Sequence, residues 1–163
     1  MKKYLFFFSL LLLGSARIYG QSIKFDQLVY LATLNNESVY STLKQGNAFK
    51  QDYSENVDGQ EMEYFNSKGP KPGAEKIAVG SFVKLYNGTV LRTLDYTSTD
   101  VQNIINMIGQ AKRYGLDLLF RGVDETDNIY LYASNFYMVS IRLRRDNTSG
   151  IVEIKQKESL GLE

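Results

Sequence analysis

The chain has 163 residues with 19 basic and 18 acidic side chains, and it contains neither cysteine nor histidine. Without these two residue types, thiol and imidazole catalysis, disulfides, and metal sites built on Cys or His are excluded. The near-neutral charge offers no basic excess for a phosphate backbone, so we expect no nucleic-acid partner. We also predict no cofactor and no metal site.

The first 20 residues have the order of a secretory signal peptide. Lys2 and Lys3 precede an apolar block from Tyr4 to Leu13, and small and polar residues follow. This block is about 10 residues long, against about 20 for a helix that crosses a bilayer. We therefore expect cleavage after Gly20, or alternatively after Ala16, and no stable membrane insertion afterwards. The absence of cysteine favours the bacterial periplasm or the medium as the location.

The remaining chain is predicted to carry a small negative charge. Three of the 19 basic residues and none of the 18 acidic ones lie in the leader, so its removal leaves a net charge of −2. A chain of this length can bury one core, shared by a single domain or by two small halves. We expect a first helix-strand unit at residues 21–97, a second at 98–157, and a flexible tail at 158–163.

Residues 25–46 predict two short helices separated by Asn35 and Asn36. One of these asparagines is expected to cap the second helix, which ends at Gly46. The spacing of apolar residues predicts which side chains face the core. In the first helix these are Phe25, Leu28, Val29 and Leu31, and in the second they are Val39 and Leu43.

Strands are predicted next, at residues 61–68, 76–86 and 89–98, with Pro70 and Pro72 in a loop. Asn87-Gly88 is the strongest hairpin signal in the chain, and a two-residue loop places Leu85 opposite Val90. This register divides the hairpin into two faces. The core face carries Val83, Leu85, Val90 and Leu94, and the outer face carries Phe82, Lys84, Tyr86, Leu91 and Thr93.

Residues 98–115 give the clearest helix signal. Ser98, Thr99 and Asp100 supply capping chemistry, and Gly115 stands where a left-handed stop is expected. The inward stripe is predicted to contain Val101, Ile104, Ile105, Ile108 and Ala111.

Four further strands are predicted, at residues 116–123, 129–134, 136–145 and 151–157. The segment Asp124–Asn128 is expected to form a hairpin turn, with weak calcium binding as the alternative. In the third of these strands Val139, Ile141 and Leu143 alternate with Ser140, Arg142 and Arg144, which is typical of a half-buried strand.

The order of elements predicts an α+β fold. Each half of the chain reads as helix, strand, strand and hairpin, so we expect two tandem units. Their strands form one shared antiparallel sheet, with the helices packed on one face. The alternative is a single α+β domain whose strands look alike because half-buried strands share one pattern.

The segment from Phe25 to Phe49, with the leader before it and Tyr-rich hairpins after it, resembles a group of uncharacterised secreted proteins of Gram-negative bacteria. The tandem architecture is also similar to that of β-lactamase inhibitory protein and of small outer-membrane assembly lipoproteins. The inhibitory protein has disulfides and the lipoproteins have a lipid-bearing Cys, and this chain has neither. The resemblance therefore implies an architecture and leaves the partner open.

The tyrosines suggest a binding surface. If Ile129 and Leu131 pack on the helices, Tyr130 and Tyr132 lie on the opposite face of the sheet. Tyr and Arg are enriched at interfaces, although Tyr is also simply a favourable strand residue. The predicted binding residues are Phe82, Lys84, Tyr86, Tyr130, Tyr132, Arg142 and Arg144.

We therefore expect an exported, non-enzymatic protein that binds a protein or envelope component through this Tyr/Arg face. The alternative is a carboxylate-dependent hydrolase acting on glycan or peptidoglycan, which needs two facing carboxylates. Its candidates are Asp95, Asp117, Asp124 and Glu153, none of which the sequence pairs. A third possibility is a carrier of a small ligand or lipid, which requires an apolar cavity between the helices and the sheet.

Overall fold

The computed structural model describes residues 22–69, 73–84 and 90–157. Within these ranges the chain is an α+β protein, as predicted, and it has three helices and nine strands. The helices are α1 (Phe25–Thr33), α2 (Asn36–Gln45) and α3 (Val101–Arg113). The strands are β1 (Phe49–Val57), β2 (Gln60–Ser67), β3 (Glu75–Gly80), β4 (Val83–Lys84), β5 (Val90–Ser98), β6 (Asp117–Val123), β7 (Asp127–Ala133), β8 (Tyr137–Arg144) and β9 (Gly150–Gln156).

The helix ends follow from local chemistry. The side chain of Asn35 accepts a hydrogen bond from the backbone N–H of Ser38 at 2.8 Å, and it caps α2. Asp100 caps α3 in the same way, accepting from the backbone N–H of Asn103 at 3.2 Å. Gly115 has a φ of 91°, which confirms the predicted left-handed stop. Side-chain oxygens at these two N-caps satisfy N–H groups that have no partner inside the helix.

All strand pairs are antiparallel, and the sheet has the order β1-β2-β3-β5-β9-β8-β7-β6, with β4 paired to β5 alone. The strands that precede α3 thus form one half of the sheet, and the strands that follow it form the other. The halves meet where β5 pairs with β9, and β1 and β6 are the two edges.

The helices cover one face of the sheet, as predicted. Helices α1 and α3 pack on β5 and β9 and on each other, and α2 packs on β1. Alternate residues of the central strands are buried under them, which supplies the hydrophobic driving force for this arrangement. These buried residues of the central strands include Leu94, Tyr96, Val139, Ile141, Val152 and Ile154. We call the side of the sheet away from the helices the open face.

The predicted core residues of α1 and α2 are buried, but α3 differs from the prediction at Ile105, which is exposed, and at Met107, which was not predicted and is buried. Its buried residues are Ile104, Met107 and Ala111, whereas Ile105 is 43% exposed. The inward stripe of a helix follows three- and four-residue steps. Ile105 is one step of about 100° away from Ile104, and this rotation directs it outward.

Strand β1 was not predicted, because only Phe49 of its residues is buried and the rest is polar enough to suggest a loop. The predicted strand at 76–86 is interrupted by Ser81 and Phe82, which separate β3 from β4. The hairpin register is also corrected. Val90 lies opposite Lys84 and not opposite Leu85, which shifts the pairing by one residue from the predicted register.

Several predictions fall on residues that the structure does not describe. These are the leader, the Asn87-Gly88 turn, Pro70, Pro72 and the tail at 158–163. Among the residues that are described, no helix combines the length and the apolar character required to cross a membrane.

Candidate functional site

Strand β7 has the opposite orientation to the one predicted. Tyr130 lies opposite Ile141 and Tyr132 lies opposite Val139, both of which are buried under the helices. Tyr132 is 4% exposed, and its hydroxyl donates to the backbone carbonyl of Ile108 in α3 at 3.3 Å. Burial raises the pKa of Tyr132. The placement of both tyrosines on the open face is therefore wrong, because Tyr132 fills the core with its ring while its hydroxyl reaches a backbone carbonyl, and Tyr130 packs against the same core.

The hairpin residues do not join the open face either. The ring of Phe82 lies against Arg92, with 4.6 Å between the guanidinium carbon and the ring centroid. Arg92 is fully buried on the helix side. Lys84 is exposed, and the corrected register removes it from the face on which it was predicted. Tyr86 lies outside the described residues.

Of the seven predicted binding residues, Arg142 and Arg144 have the predicted placement. Both are exposed, and they alternate along β8 with the buried side chains of Ile141 and Leu143. The structure thus divides the predicted Tyr/Arg face: the arginines lie on the open face and the described tyrosines face the helices.

Arg92 is a notable residue that the sequence did not reveal as part of the core. It donates from Nη2 to Oδ1 of Asn36 at 2.9 Å, and Nδ2 of Asn36 donates to Oε1 of Glu63 at 2.9 Å. Burial lowers the pKa of Arg92 to about 10, and its Nε and Nη1 atoms have no hydrogen-bond partner. The strand alternation with Leu94 is the signal that could have placed it inside. Because Arg92 is closed to solvent, its role in this structure is to link β5 to α2.

The open face of the second half is apolar. Phe120, Met138 and Ile151 are exposed there by 50%, 45% and 41%. Ile129 and Leu131 fill the space between them, because they pair with Arg142 and Ser140 on the same side of the sheet. These are the aliphatic side chains that were expected in the core.

Edge strand β6 adds apolar side chains at the rim of the sheet, where Leu118 and Val123 lie on the helix side because they pair with Tyr132 and Asn128. Leu118, Leu119 and Val123 are exposed by 51%, 65% and 67%. A bulge between Leu118 and Phe120 leaves Leu119 without a partner on β7. The term "β6 surface" refers below to the six exposed side chains of this region. They are Leu118, Leu119, Phe120, Val123, Met138 and Ile151.

Glycine at position 122 determines how Phe120 is seated. A Cβ atom at Gly122 would lie 2.3 Å from Cζ of Phe120, so the ring occupies the space that any larger residue would need. The phenyl ring therefore extends along its own strand over Gly122, and half of its surface remains exposed.

Arginines border the β6 surface. The guanidinium of Arg121 lies over the ring of Tyr130, at 5.5 Å from its centroid, and Arg142 lies between Ile129 and Ile151. Within the described part of the chain, the ion pair is Lys155 with Glu153 at 2.8 Å, and neither arginine has a carboxylate at that range. Phe, Met and Arg, which are all present here, are among the residue types enriched at protein interfaces.

The opposite edge, β1, has a different surface. It carries Lys50, Asp52 and Glu55, and its bulge lies between Gln51 and Ser54. Its aromatic residue, Tyr53, stacks on Tyr64 of β2 with 4.4 Å between the ring centroids. The hydrogen bond with Glu55 and burial raise the pKa of Tyr64 to about 12. The polar groups of this edge are therefore largely occupied by contacts within the protein.

Two carboxylates meet at the junction of the halves. Asp95 of β5 lies directly opposite Glu153 of β9, and it is half-buried. Burial and the charge of Glu153 raise the pKa of Asp95 to about 6. The sequence did not pair these two hydrolase candidates. The other two do not join them, because Asp117 begins β6 and Asp124 lies in the β6-β7 turn.

The β6-β7 connection is a hairpin turn, as predicted. The carboxylate of Asp124 accepts hydrogen bonds from the backbone N–H groups of Asp127 at 2.6 Å and Thr126 at 2.8 Å. These bonds lower the pKa of Asp124. Among the described residues, no group of three or more carboxylates is placed to hold a metal ion.

A groove of about 1160 Å³ lies on the other side of the protein, between α1, the end of α2 and the ends of β2, β3 and β5. Its buried apolar lining consists of Ile23, Leu31, Leu43 and Phe49. The buried hydroxyls in it already have partners, since Ser67 accepts from the N–H of Glu75 and Ser98 accepts from the N–H of Asp100. The groove thus offers space but no unpaired buried polar group for a ligand.

Comparison of the chain with protein-family models, with curated proteins and with solved structures finds no match. The assignment of function therefore depends on the geometry of these surfaces.

Proposed function

We propose that the chain is an exported, non-enzymatic protein that binds a protein or an envelope component through the β6 surface. The observation that carries this proposal is the composition of edge strand β6, in which four of seven residues are apolar and at least half exposed. Arg142 and Arg144 of the predicted binding face stay in the proposal as charged neighbours of this surface.

The proposal is supported by the risk of aggregation that an exposed apolar edge strand carries. An exposed apolar edge strand invites aggregation, and proteins usually protect edges with charged side chains. Strand β1 is protected in this way by Lys50, Asp52 and Glu55. Because the same chain protects one edge and leaves the other apolar, we infer that the β6 surface is retained for binding.

We also propose that the chain consists of two helix-plus-strands units. The last strand of each segment, β5 and β9, meets its counterpart in the middle of the sheet. In this interpretation β1 and β6 are equivalent strands whose surfaces have diverged.

Export is part of the same proposal. It is supported by the charged, apolar and small-residue order of the first 20 residues. The location that we propose is the periplasm or the medium, with the leader removed.

Site-specific crosslinking tests the binding surface. A photoreactive residue is placed at Leu119, and in a control protein at Val57, which is 41% exposed at the opposite edge. Both proteins are incubated with envelope and medium fractions of the source organism. We expect a discrete adduct from position 119 and none from position 57. Adducts of equal yield from both positions, or none from position 119, would contradict the proposal.

A second candidate, the carboxylate-dependent hydrolase, is favoured by one observation, the pairing of Asp95 with Glu153. A carboxyl with a raised pKa beside an ionised one is an arrangement used for acid catalysis. However, Glu153 is already paired with Lys155 at 2.8 Å. Release of soluble fragments from peptidoglycan by the wild-type protein, lost in Glu153→Gln, would establish this function and displace the binding proposal.

A further inference from the structure

The free edge of β6 allows a more specific inference about the partner, which rests on the proposed function. We propose that the partner contributes an extended segment that pairs with β6 as an additional strand of the sheet. This segment carries an acidic residue opposite Arg121 and an apolar residue opposite Phe120.

The backbone of β6 provides the first argument. This strand pairs with β7 on one side, and no other strand of the described chain lies on its outer side. Its outward N–H and C=O groups are therefore available to a partner. Strand addition satisfies such groups, with the main-chain bonds giving affinity and alternate side chains giving specificity.

The bulge limits where the added strand can pair. From Phe120 to Val123 each residue of β6 has a regular partner on β7, whereas Leu119 has none. A regular strand can therefore align with residues 120–123, while Leu119 projects as an apolar contact beside it. Gly122 lies within this stretch, and a glycine on an edge permits the close approach of another backbone.

Charge indicates the chemistry of the incoming strand. Arg121 is exposed, it lies on the helix side of β6, and its one described contact is the ring of Tyr130. Directly opposite residues of an antiparallel pair lie on the same face, where opposite charges attract. An acidic residue opposite Arg121 would give this guanidinium the carboxylate that the described chain does not supply.

A second copy of the chain fits this edge less well. Because the bulge exchanges the faces at Leu119, two copies keep their faces aligned along all of β6 only about the midpoint of Leu119 and Phe120. In that register Leu118 lies opposite Arg121 of the second copy, and Asp117 lies opposite Gly122. A shorter pairing within residues 120–123 places Arg121 opposite Arg121 or Val123 of the second copy. Neither charged residue gains a partner in either pairing, which favours a foreign strand over self-association.

The size of the edge agrees with this choice. Stable interfaces between folded proteins involve about 20 to 30 residues on each side. Strand β6 offers seven residues, with a small apolar area of open face behind it. An extended segment can obtain its affinity from the main chain, so it needs less area than a rigid domain does.

A peptide titration followed by amide NMR of the mature protein tests the proposal. The probe is the peptide Thr-Val-Glu-Val-Thr-Val, and two matched peptides are a Lys-for-Glu version and a version N-methylated at alternate residues. We expect the probe to shift the amides of residues 120–123 and not those of residues 54–57. N-methylation should weaken binding on the order of tenfold, because it removes donors and keeps the side chains.

A charge exchange completes the test. The Lys peptide should bind wild-type protein on the order of fivefold more weakly than the Glu peptide, and Arg121→Glu should reverse this preference. The proposal is overturned if no peptide shifts β6, if the N-methylated peptide binds equally well, or if Arg121→Glu leaves the preference unchanged. It is also overturned if the protein forms a dimer that Leu119→Arg dissociates. If crosslinking from position 119 is still observed in any of these cases, the binding function remains supported and only the proposal of strand addition is rejected.

Discussion

Strands β1 and β6 occupy corresponding positions at the two ends of one sheet, and each contains a bulge, yet their surfaces differ. On β1 the aromatic residue Tyr53 stacks on a neighbouring tyrosine, and most other side chains are polar. On β6 the aromatic residue Phe120 lies over a glycine and is 50% exposed. Since the fold tolerates a polar edge at one end, it does not require an apolar edge at the other.

We expect the largest effect on stability from a test of the orientation of β7, the strand that decides which side chains of the second half face outward. Tyr132→Ala should lower the free energy of unfolding by about 3 kcal/mol or more, since it leaves a cavity under α3. Urea unfolding monitored by circular dichroism measures this change. Leu131→Ala, one residue away on the open face, should cost less than half as much. Similar losses in both variants would contradict the inward placement of Tyr132.

The next largest effect on stability should come from Asp95, at the junction of the two halves. The pKa of Asp95 is raised from 3.8 to about 6 in the folded protein, so the folded state keeps a proton that the unfolded chain releases. Stability should therefore fall as the pH rises from about 4 to about 6 and stay lower above that range. Asp95→Asn should remove this slope and gain about 2 kcal/mol at pH 7, allowing for the partial exposure of the group.

Asp124→Asn serves as the control. Hydrogen bonds lower the pKa of Asp124, so its effect on stability changes with pH in the opposite direction to that of Asp95. Its carboxylate contributes at neutral pH and loses its contribution as the pH falls through the lowered pKa. Urea midpoints at pH 4 and pH 7 distinguish the two variants. The stability of the wild-type protein relative to Asp95→Asn should be lower at pH 7 than at pH 4. The same relative stability at both pH values would contradict the raised pKa of Asp95.

The sequence predicted those elements in which one physical signal dominates. Asn35 and Asp100 cap helices because their side chains reach unpaired N–H groups, and this interaction is local. The alternation of β8 identified Val139 and Ile141 as core residues for an equally local reason. Strand β1 gave no such signal, since an edge strand needs few buried residues and resembles a polar loop.

The candidate site was harder to predict because it depends on pairing between distant strands. In β7 both sets of alternating residues are apolar enough to face the core, so periodicity could not decide between Ile129 and Tyr130. Pairing with Arg142 and Ile141 decides it in the structure. The Asp95–Glu153 pair has the same origin, because the β5-β9 junction joins residues that are far apart in the chain.

The two edge aromatics should differ in their contribution to stability. Tyr53→Ala removes a stacked pair with 4.4 Å between the centroids and should cost about 1 kcal/mol. Phe120→Ala removes a ring that is 50% exposed and rests on a glycine, so we expect a smaller loss, of about 0.5 kcal/mol. Chemical denaturation of both variants measures the difference. A larger loss for Phe120→Ala would mean that the aromatic on β6 serves the fold more than a partner.

Charged residues placed on β6 should have the smallest effect on stability. Leu119 and Val123 are 65% and 67% exposed, so Leu119→Lys with Val123→Lys should change the free energy of unfolding by at most about 0.5 kcal/mol. The same variant should no longer bind the partner, and it should bind less of a hydrophobic dye. Loss of binding at constant stability is the result that separates a binding surface from a structural one. A substantial loss of stability would show instead that these side chains support the sheet, and the contrast between its edges would then have a structural cause.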